Sequence, residues 1–191
     1  FIEKMKVLVT GGAGFIGSWL CEALLEQGYE GICLDNLLTG DENNISHLIK
    51  NNNFTFLKKD VTDSSLKVED VSFIFHLASP ASPKGYQKYP LQTLLANSKG
   101  TINMLEIAKT NNARLVFAST SEIYGNPLEH PQKESYHGNV NPVGERSMYD
   151  ESKRFGEAAS TVYVKSYGVD ARIVRIFNTY GPKMAKDDGR V

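Results

Sequence analysis

Short apolar, β-rich runs alternate along this chain with stretches whose apolar residues recur at helical spacing, a pattern that predicts βαβ units around a buried parallel sheet. Strands are expected near Lys6–Thr10, Gly31–Asp35, Phe54–Lys58, Phe73–Leu77, Arg114–Ser119 and Asp170–Arg175. The first helix follows the first strand directly, with Phe15, Ile16, Trp19, Leu20, Ala23 and Leu24 as its apolar stripe and Gly28 as its stop. A shorter helix is expected over Asp41–Lys50. A long one is expected over Leu91–Thr110, entered through Pro90, with Leu94, Leu95, Ile102, Leu105, Ile107 and Ala108 facing the core. Tyr149–Tyr167 reads as another helix, carrying Phe155, Ala158, Ala159 and Val162. Asn51–Asn53 reads as a loop, and Gly125–Ser147 is too long for a routine connection, which marks it as a functional loop.

Composition narrows the class of protein. The chain has 191 residues, 41% hydrophobic and 23% charged, enough for one ordinary globular domain over 1–191. Its 21 basic and 22 acidic residues show no strong clustering, so neither nucleic acid nor an anionic membrane is an expected partner. Cys21 and Cys33 fall in the first helix and second strand, where they read as small buried hydrophobes and not as a disulfide framework or metal site. A cytoplasmic protein is expected, since no apolar stretch approaches membrane-spanning length and the start lacks a signal-peptide core. The chain opens on Phe1, and Met5 fits a natural start, so a fragment or trimmed chain is expected.

The first strand runs directly into Thr10-Gly-Gly-Ala-Gly-Phe-Ile-Gly17, glycines spaced GxxGxxG at a strand-to-helix turn. Gly11 suits the tight turn, Gly14 the close approach of backbone N–H groups to a diphosphate, and Gly17 close packing of helix on strand. The positive end of the helix then favours the anion. Such a turn predicts a Rossmann-type, doubly wound α/β domain and an acidic residue at the end of the second strand to hold the adenosine ribose. Asp35 stands there, and its charge favours NAD over NADP, since no Arg follows in Asn36–Gly40 to receive a 2′-phosphate. Asp60, past the third strand, suits either the adenine amino group or a surface loop.

Tyr149 and Lys153 form YxxxK at the start of a predicted helix, which places phenol and ammonium on one face. A tyrosine with a pKa of about 10 is a poor base at neutral pH, and a neighbouring cation favours its phenolate. At the end of the fifth strand, Ser119-Thr-Ser-Glu122 brings hydroxyls and a carboxylate to the sheet edge where ligands of open α/β sheets bind. A Ser/Thr turn accounts for one hydroxyl but not for the Glu.

With these motifs and Asn178-Thr-Tyr-Gly-Pro182, the chain resembles the extended short-chain dehydrogenase/reductase superfamily along nearly its whole length. His76–Pro83, Ser119–Glu122, Glu134–Pro142, Tyr149–Glu151 and Arg175–Pro182 resemble, more narrowly, the UDP-glucuronate decarboxylases of that superfamily. This resemblance implies NAD as cofactor, a UDP-sugar as substrate, and a closed redox cycle. Tyr149, activated by Lys153, takes the proton of the sugar 4-hydroxyl, and Thr120 holds the same oxygen. The 4-ketone lies β to the carboxylate and allows carbon dioxide to leave. Ser121 and Glu122 position the ring and assist proton delivery at C5 before the ketone is reduced again. Dehydratases of the superfamily carry Asp-Glu after the Thr, and 4-epimerases lack that acidic pair, so Ser121-Glu122 favours decarboxylation. Another dehydratase or epimerase, or a dinucleotide-binding module without turnover, remains the alternative.

The resemblance also implies a cofactor lining of Phe15, Ile16, Asn36, Thr39, Gly40, Val61, Leu77, Ala78, Ser79 and Asn97 beside Gly11, Gly14, Gly17, Asp35, Asp60, Tyr149 and Lys153. Pro80, Ser82, Tyr86, Thr120, Glu122 and Asn178 are the positions implied for the substrate, with Ser79, Ser82 and Tyr86 suited equally to the sugar carboxylate or to turn roles. Arg146 suits either the active-site loop or a surface ion pair, and Arg175 a structural role. His137, Glu145 and Ser152 depart from the residues usual in the family. Family members continue for about a hundred residues beyond Gly189-Arg-Val191, in keeping with a substrate domain of ordinary size that is largely absent here. Homodimerisation through the two long helices is a further expectation of the family.

Overall fold

The computed structural model describes residues 4–186, so the Gly189-Arg-Val191 ending lies outside the described residues. Six strands, β1 (Lys6–Thr10), β2 (Glu30–Asp35), β3 (Phe54–Lys58), β4 (Val71–His76), β5 (Arg114–Thr120) and β6 (Ala171–Ile176), form one sheet in the order β3-β2-β1-β4-β5-β6. Every neighbouring pair is parallel. The order reverses between β1 and β4, and the crevice beyond their carboxyl ends is where a ligand of such a sheet binds. The Rossmann-type architecture expected from the glycine turn is the one found. Strand ends fall within two residues of expectation; β1 and β2, buried almost throughout, are the strands for which burial on both faces accounts for the apolar run.

Successive residues of β1 feed opposite cores, as the two-residue period of a strand requires. Val7 and Val9 pack with Cys21 of α1 (Phe15–Glu26) and Cys33 of β2. Leu8 packs on the other face with Ile74, Leu115 and Phe117, under Met104 and Leu105 of α4 (Thr101–Asn111) and Ala159 and Tyr163 of α5 (Ser147–Tyr167). Gly11 adopts φ +70° at the end of β1, and a Cβ there would sit 2.8 Å from the Ala78 nitrogen. At Gly17 a Cβ would overlap the Gly11 carbonyl oxygen, so the start of α1 lies directly against the turn.

Several helical expectations are corrected. Asp41–Lys50 is not a helix: only Glu42–Asn44 closes, as a 3-10 turn capped by the Asp41 carboxylate, which accepts from the Asn43 nitrogen at 2.9 Å. Asp and Asn side chains compete with helical bonding here, and the apolar residues that suggested a helix, Ile45 and Leu48, are buried beside α1. The long helix expected over Leu91–Thr110 is found as one continuous run entered at Pro90, α3 (Pro90–Leu95), a π turn over Ala96–Gly100 and α4, preceded by a short α2 (Pro83–Lys88) that was not expected. Trp19, Ala23, Leu94, Leu95, Phe155, Ala158 and Val162, expected inside, are exposed. Small residues take their place on α5, where Gly156 and Ala159 lie against the sheet. Trp19 covers the segment after β6 instead, donating to the Pro182 carbonyl at 3.0 Å with the Lys183 ammonium 4.2 Å from its ring.

No helix among the described residues is long and apolar enough to cross a membrane. A Cβ at Gly156 would overlap the ring of fully buried Phe117. Gly156→Val is therefore expected to destabilise the domain by about 1–3 kcal/mol, read as a lowered thermal midpoint. An unchanged midpoint would contradict so close an approach of α5 to β5.

Candidate active site

A single cavity of about 880 Å³ runs along the carboxyl edge of the sheet, from Asp35 and Asp60 at one end to Tyr149, Lys153 and Glu122 at the other. Gly11, Gly14, Phe15, Ile16 and Gly17 line its middle, beside the N-terminus of α1. Asn36, Thr39, Gly40, Val61, Leu77, Ala78 and Ser79 line it as well. Asp35 is buried, and its two oxygens accept from the Ala13 nitrogen at 3.0 Å and the Leu37 nitrogen at 2.8 Å. Burial raises its pKa against the pull of those two donors. A carboxylate has about four acceptor sites, so Asp35 braces the glycine turn and still has acceptor capacity for a ligand hydroxyl. Asp60 is more fully engaged, accepting from the Thr62 nitrogen and hydroxyl and from the Asn36 amide. Burial pushes its pKa up, but these bonds outweigh it and the net shift is downward.

Lys153 lies on the inner face of α5, 4% exposed, and donates to the Ala118 carbonyl of β5 at 2.7 Å. Its ammonium stands 5.1 Å from the Phe117 ring and 5.8 Å from the Tyr149 ring. Burial pulls its pKa down to about 7. Tyr149 is buried one turn earlier on α5 and stacks on Tyr86 of α2, with centroids 5.0 Å apart and planes at 14°. The i,i+4 spacing thus delivers a phenol and a cation to one pocket, where the charged ammonium favours the phenolate.

Thr120 ends β5, and its hydroxyl accepts from the Glu122 nitrogen at 3.2 Å, opening the 3-10 turn Ser121–Tyr124. Thr120 and Glu122 line the cavity; Ser121, expected with them, does not. The Glu122 carboxylate forms an ion pair with Arg146. Pro80, Ser82, Tyr86 and Asn178 all line the same cavity. The Ser82 hydroxyl caps α2 by accepting from the Gly85 nitrogen at 3.1 Å, and Ser79 donates to the Pro80 carbonyl, so both carry turn roles.

Asn97 does not line the cavity: it is fully buried in the π turn, and its amide donates to Ser152 at 3.1 Å. Sequence reasoning missed His76, whose position at the end of a central strand was the available signal. The Ala78 N–H donates to the Thr10 hydroxyl, which meets His76 Nδ1 at 2.7 Å, while Nε2 meets the Thr101 hydroxyl at 3.1 Å. Thr101 spends its own proton on the Asn97 carbonyl, so Nε2 carries the hydrogen and Nδ1 accepts. Burial, helped by the nearby Lys153, lowers the His76 pKa to about 3 and keeps it neutral. Lys183, Tyr180 and Met184 also line the cavity and were not anticipated. Among the described residues no cluster of His, Cys, Asp and Glu could hold a metal ion.

The model of the NAD dependent epimerase/dehydratase family matches residues 7–191. The chain is similar to UDP-glucuronic acid decarboxylase 1 of Arabidopsis thaliana, 51% identical over 99% of this chain and 43% of that protein. It is similarly related to UDP-glucuronic acid decarboxylase 1 of Xenopus tropicalis, 49% identical over 99% of this chain and 44% of that protein. The chain spans about half the length of the curated relatives it matches. Among solved structures, a UDP-N-acetylglucosamine 4-epimerase from Methanobrevibacter ruminantium superposes with a TM-score of 0.85 at 32% identity, covering 97% of this chain and 59% of that one. A dTDP-glucose 4,6-dehydratase from Streptomyces venezuelae, solved with NAD, gives 0.84 at 31% identity, covering 94% and 58%.

The lowered pKa of Lys153 is open to direct test. In the free protein, lysine side-chain NMR is expected to show one ammonium that is protonated below about pH 7 and neutral above it, absent in Lys153→Met. Titration of every lysine near its ordinary value, about 10.4, would contradict this account.

Proposed function

The chain belongs to the NAD dependent epimerase/dehydratase family, and from that premise we propose that the whole protein uses NAD to convert UDP-glucuronate to UDP-xylose and carbon dioxide. The observation that carries this reading is 51% identity to a UDP-glucuronic acid decarboxylase along 99% of the chain. Fold alone does not choose the reaction, since a 4-epimerase and a 4,6-dehydratase share it at TM-scores of 0.85 and 0.84. The residues after Thr120 favour decarboxylation, with Ser121 and Glu122 in place of an Asp-Glu pair.

The cradle fits a dinucleotide. At Gly11 and Gly17 a Cβ would strike the neighbouring main chain, so the turn lies closely packed under the N-terminus of α1, where backbone N–H groups meet a diphosphate. Asp35 would accept from the adenosine ribose, and Asn36, Thr39, Gly40 and Asp60 would surround the adenosine. NAD held in this cradle would supply a reversible two-electron acceptor facing the sugar C4, so that no net oxidation results. Tyr149 takes the 4-hydroxyl proton, and the Lys153 cation stabilises the phenolate. Thr120 donates to the same sugar oxygen and fixes its direction. Once C4 is a ketone, the C5–C6 bond breaks, carbon dioxide leaves, and the bond's electrons pass to O4 as an enolate. Glu122 stands on the cavity wall to govern proton delivery at C5, and Tyr149 returns its proton to O4.

We read 1–191 as the dinucleotide-binding domain, with most uridine contacts supplied by a substrate domain beyond it. Homodimerisation is supported by exposed Leu91, Leu94 and Leu95 on α3 and Phe155 and Val162 on α5, two apolar strips on adjacent helices. A cytoplasmic setting is supported by Cys21 and Cys33, both free and buried.

Incubated with NAD and UDP-glucuronate, the full-length gene product is expected to release one carbon dioxide per UDP-xylose formed, identified by NMR. Unchanged substrate would refute the reading. Tyr149→Phe should slow turnover by about 10²–10⁴-fold, and a rate near wild type would remove it as the base. Leu94→Glu is expected to convert a dimer to a monomer by light scattering, and an unaltered dimer would exclude this face.

A further inference from the structure

Lys183 occupies a backbone position that does not suit a lysine. The Met184 nitrogen donates to the Gly181 carbonyl at 3.3 Å, closing a turn over Gly181-Pro182-Lys183-Met184. Lys183 is its third residue and has φ +71°, where Gly or Asn is favoured. A residue that breaks a local rule is a candidate for work elsewhere.

The side chain shows that work. The Lys183 ammonium pairs with the Glu22 carboxylate of α1 and donates to the Asn44 carbonyl at 3.3 Å. It also lies 4.2 Å from the ring of Trp19, whose Nε1 donates to the Pro182 carbonyl at 3.0 Å. The Lys183 and Glu22 side chains are 19% and 20% exposed, so salt screens the pair less than one on open surface. Nε2 of His47 stands 2.5 Å from the same carboxylate. Burial works to raise the Glu22 pKa, but Lys183 and then His47 outweigh it and hold the group below its ordinary value.

Three stretches of cavity wall meet at this clasp. Asn178, Tyr180, Lys183 and Met184 follow β6 along the cavity, and a Cβ on Gly181 would stand 3.2 Å from the Phe15 ring of α1. Gly14, Phe15 and Gly17, at the start of α1, form the second stretch. Thr39, Gly40, Asp41 and Asn44 form the third, tied to the glycine turn where the Asn44 amide and the Asp41 nitrogen donate to the Ala13 carbonyl at 3.0 and 3.1 Å. Through Glu22 and Asn44, Lys183 fastens the first stretch to the other two.

We propose that Lys183 is a positioning residue, whose pairing with Glu22 straps the segment after β6 along the dinucleotide cradle and so slows the departure of NAD. The strap works by holding the walls together and needs no contact between Lys183 and the cofactor. On the decarboxylase reading, on which this consequence rests, retention has a purpose. Between the loss of carbon dioxide and the return of the hydride, a site that released its reduced cofactor would leave the sugar as a UDP-4-keto-pentose.

The test uses the full-length gene product with isotope-labelled NAD bound, and follows exchange into excess unlabelled NAD with no sugar present. Lys183→Asn suits a positive φ but removes the ammonium, and is expected to speed exchange by about tenfold, the scale of a lost charged hydrogen bond. Lys183→Arg, which keeps the cation, should restore most of the slow exchange. Glu22→Gln should also speed exchange, and this separates strapping from direct contact: a Lys183 that held the diphosphate itself would be freed by Glu22→Gln and would slow exchange. The Lys183→Asn/Glu22→Gln double should exceed the faster single by less than about twofold, because both remove one pair. With UDP-glucuronate added, Lys183→Asn should release a larger share of UDP-4-keto-pentose than wild type, with one reduced cofactor for each. Unchanged exchange in Lys183→Asn, exchange in Lys183→Arg as fast as in Lys183→Asn, unchanged or slowed exchange in Glu22→Gln, or multiplicative effects in the double would each overturn the proposal. Wild-type protein inert towards UDP-glucuronate would remove the decarboxylase reading and leave the exchange rates to decide the strap, whereas an active wild type with unaltered exchange in the variants would remove this inference alone.

Discussion

A primary ammonium held inside the domain, with one carbonyl oxygen 2.7 Å away, is the constraint around which the active half of this structure is arranged. Removing a charge from water costs several kcal/mol even after relaxation, and one hydrogen bond with a flanking aromatic ring does not recover it all. The residual cost is visible as the depressed pKa of Lys153. Holding the side chain there requires α5 to lie hard against β5, which Gly156 allows by presenting no side chain to Phe117. The helix is also tied polar-side to the sheet: Ser119 donates to Glu157 at 2.6 Å, and Arg175 of β6 grips the same carboxylate through two nitrogens at 3.0 and 2.8 Å. Packing and this ion pair together set where the ammonium and, four residues before it, the phenol stand.

From that fixed pair the site extends outward through elements with little regular structure. The long loop after β5 is pinned at Ile123 and His137 by Arg154, at Glu134 by Arg175, and by stacking of Tyr124 on Tyr136. The loop so pinned returns the chain to the cavity at Arg146. Buried behind the cavity, Thr10, neutral His76, Thr101 and Asn97 form a directed chain of hydrogen bonds that joins the end of β1 to the π turn. Asn97 then reaches Ser152 on α5, so the end of β1 and the helix carrying Tyr149 and Lys153 belong to one bonded framework.

The strands, the glycine turn and Asp35 were legible because each follows from local chemistry: apolar runs, a positive φ, an acidic strand end. The facing of helices was less legible. Trp19, Phe155 and Val162 fit an apolar stripe by spacing, yet close approach to the sheet favours the small residues beside them, and the large ones turn outward. Helix α2 carried its own signal, Ser82 as cap before Pro83, but six residues with one buried side chain present too short a pattern to read. The site was legible through motifs, and Glu122 and Tyr149 fall where those motifs suggest. Ser121 was misplaced because a 3-10 turn replaces the strand after Thr120, and His76 was invisible because its role consists of tertiary hydrogen bonds.

The central claim is that this crevice oxidises a sugar at C4 only to restore it after carbon dioxide has gone. UDP-glucuronate deuterated at C4, turned over by the full-length protein and analysed by NMR, tests that cycle most directly. The account predicts UDP-xylose that retains the deuterium at C4. Product with solvent hydrogen at C4, or decarboxylation that leaves C4 untouched when Tyr149 is replaced by Phe, would contradict it.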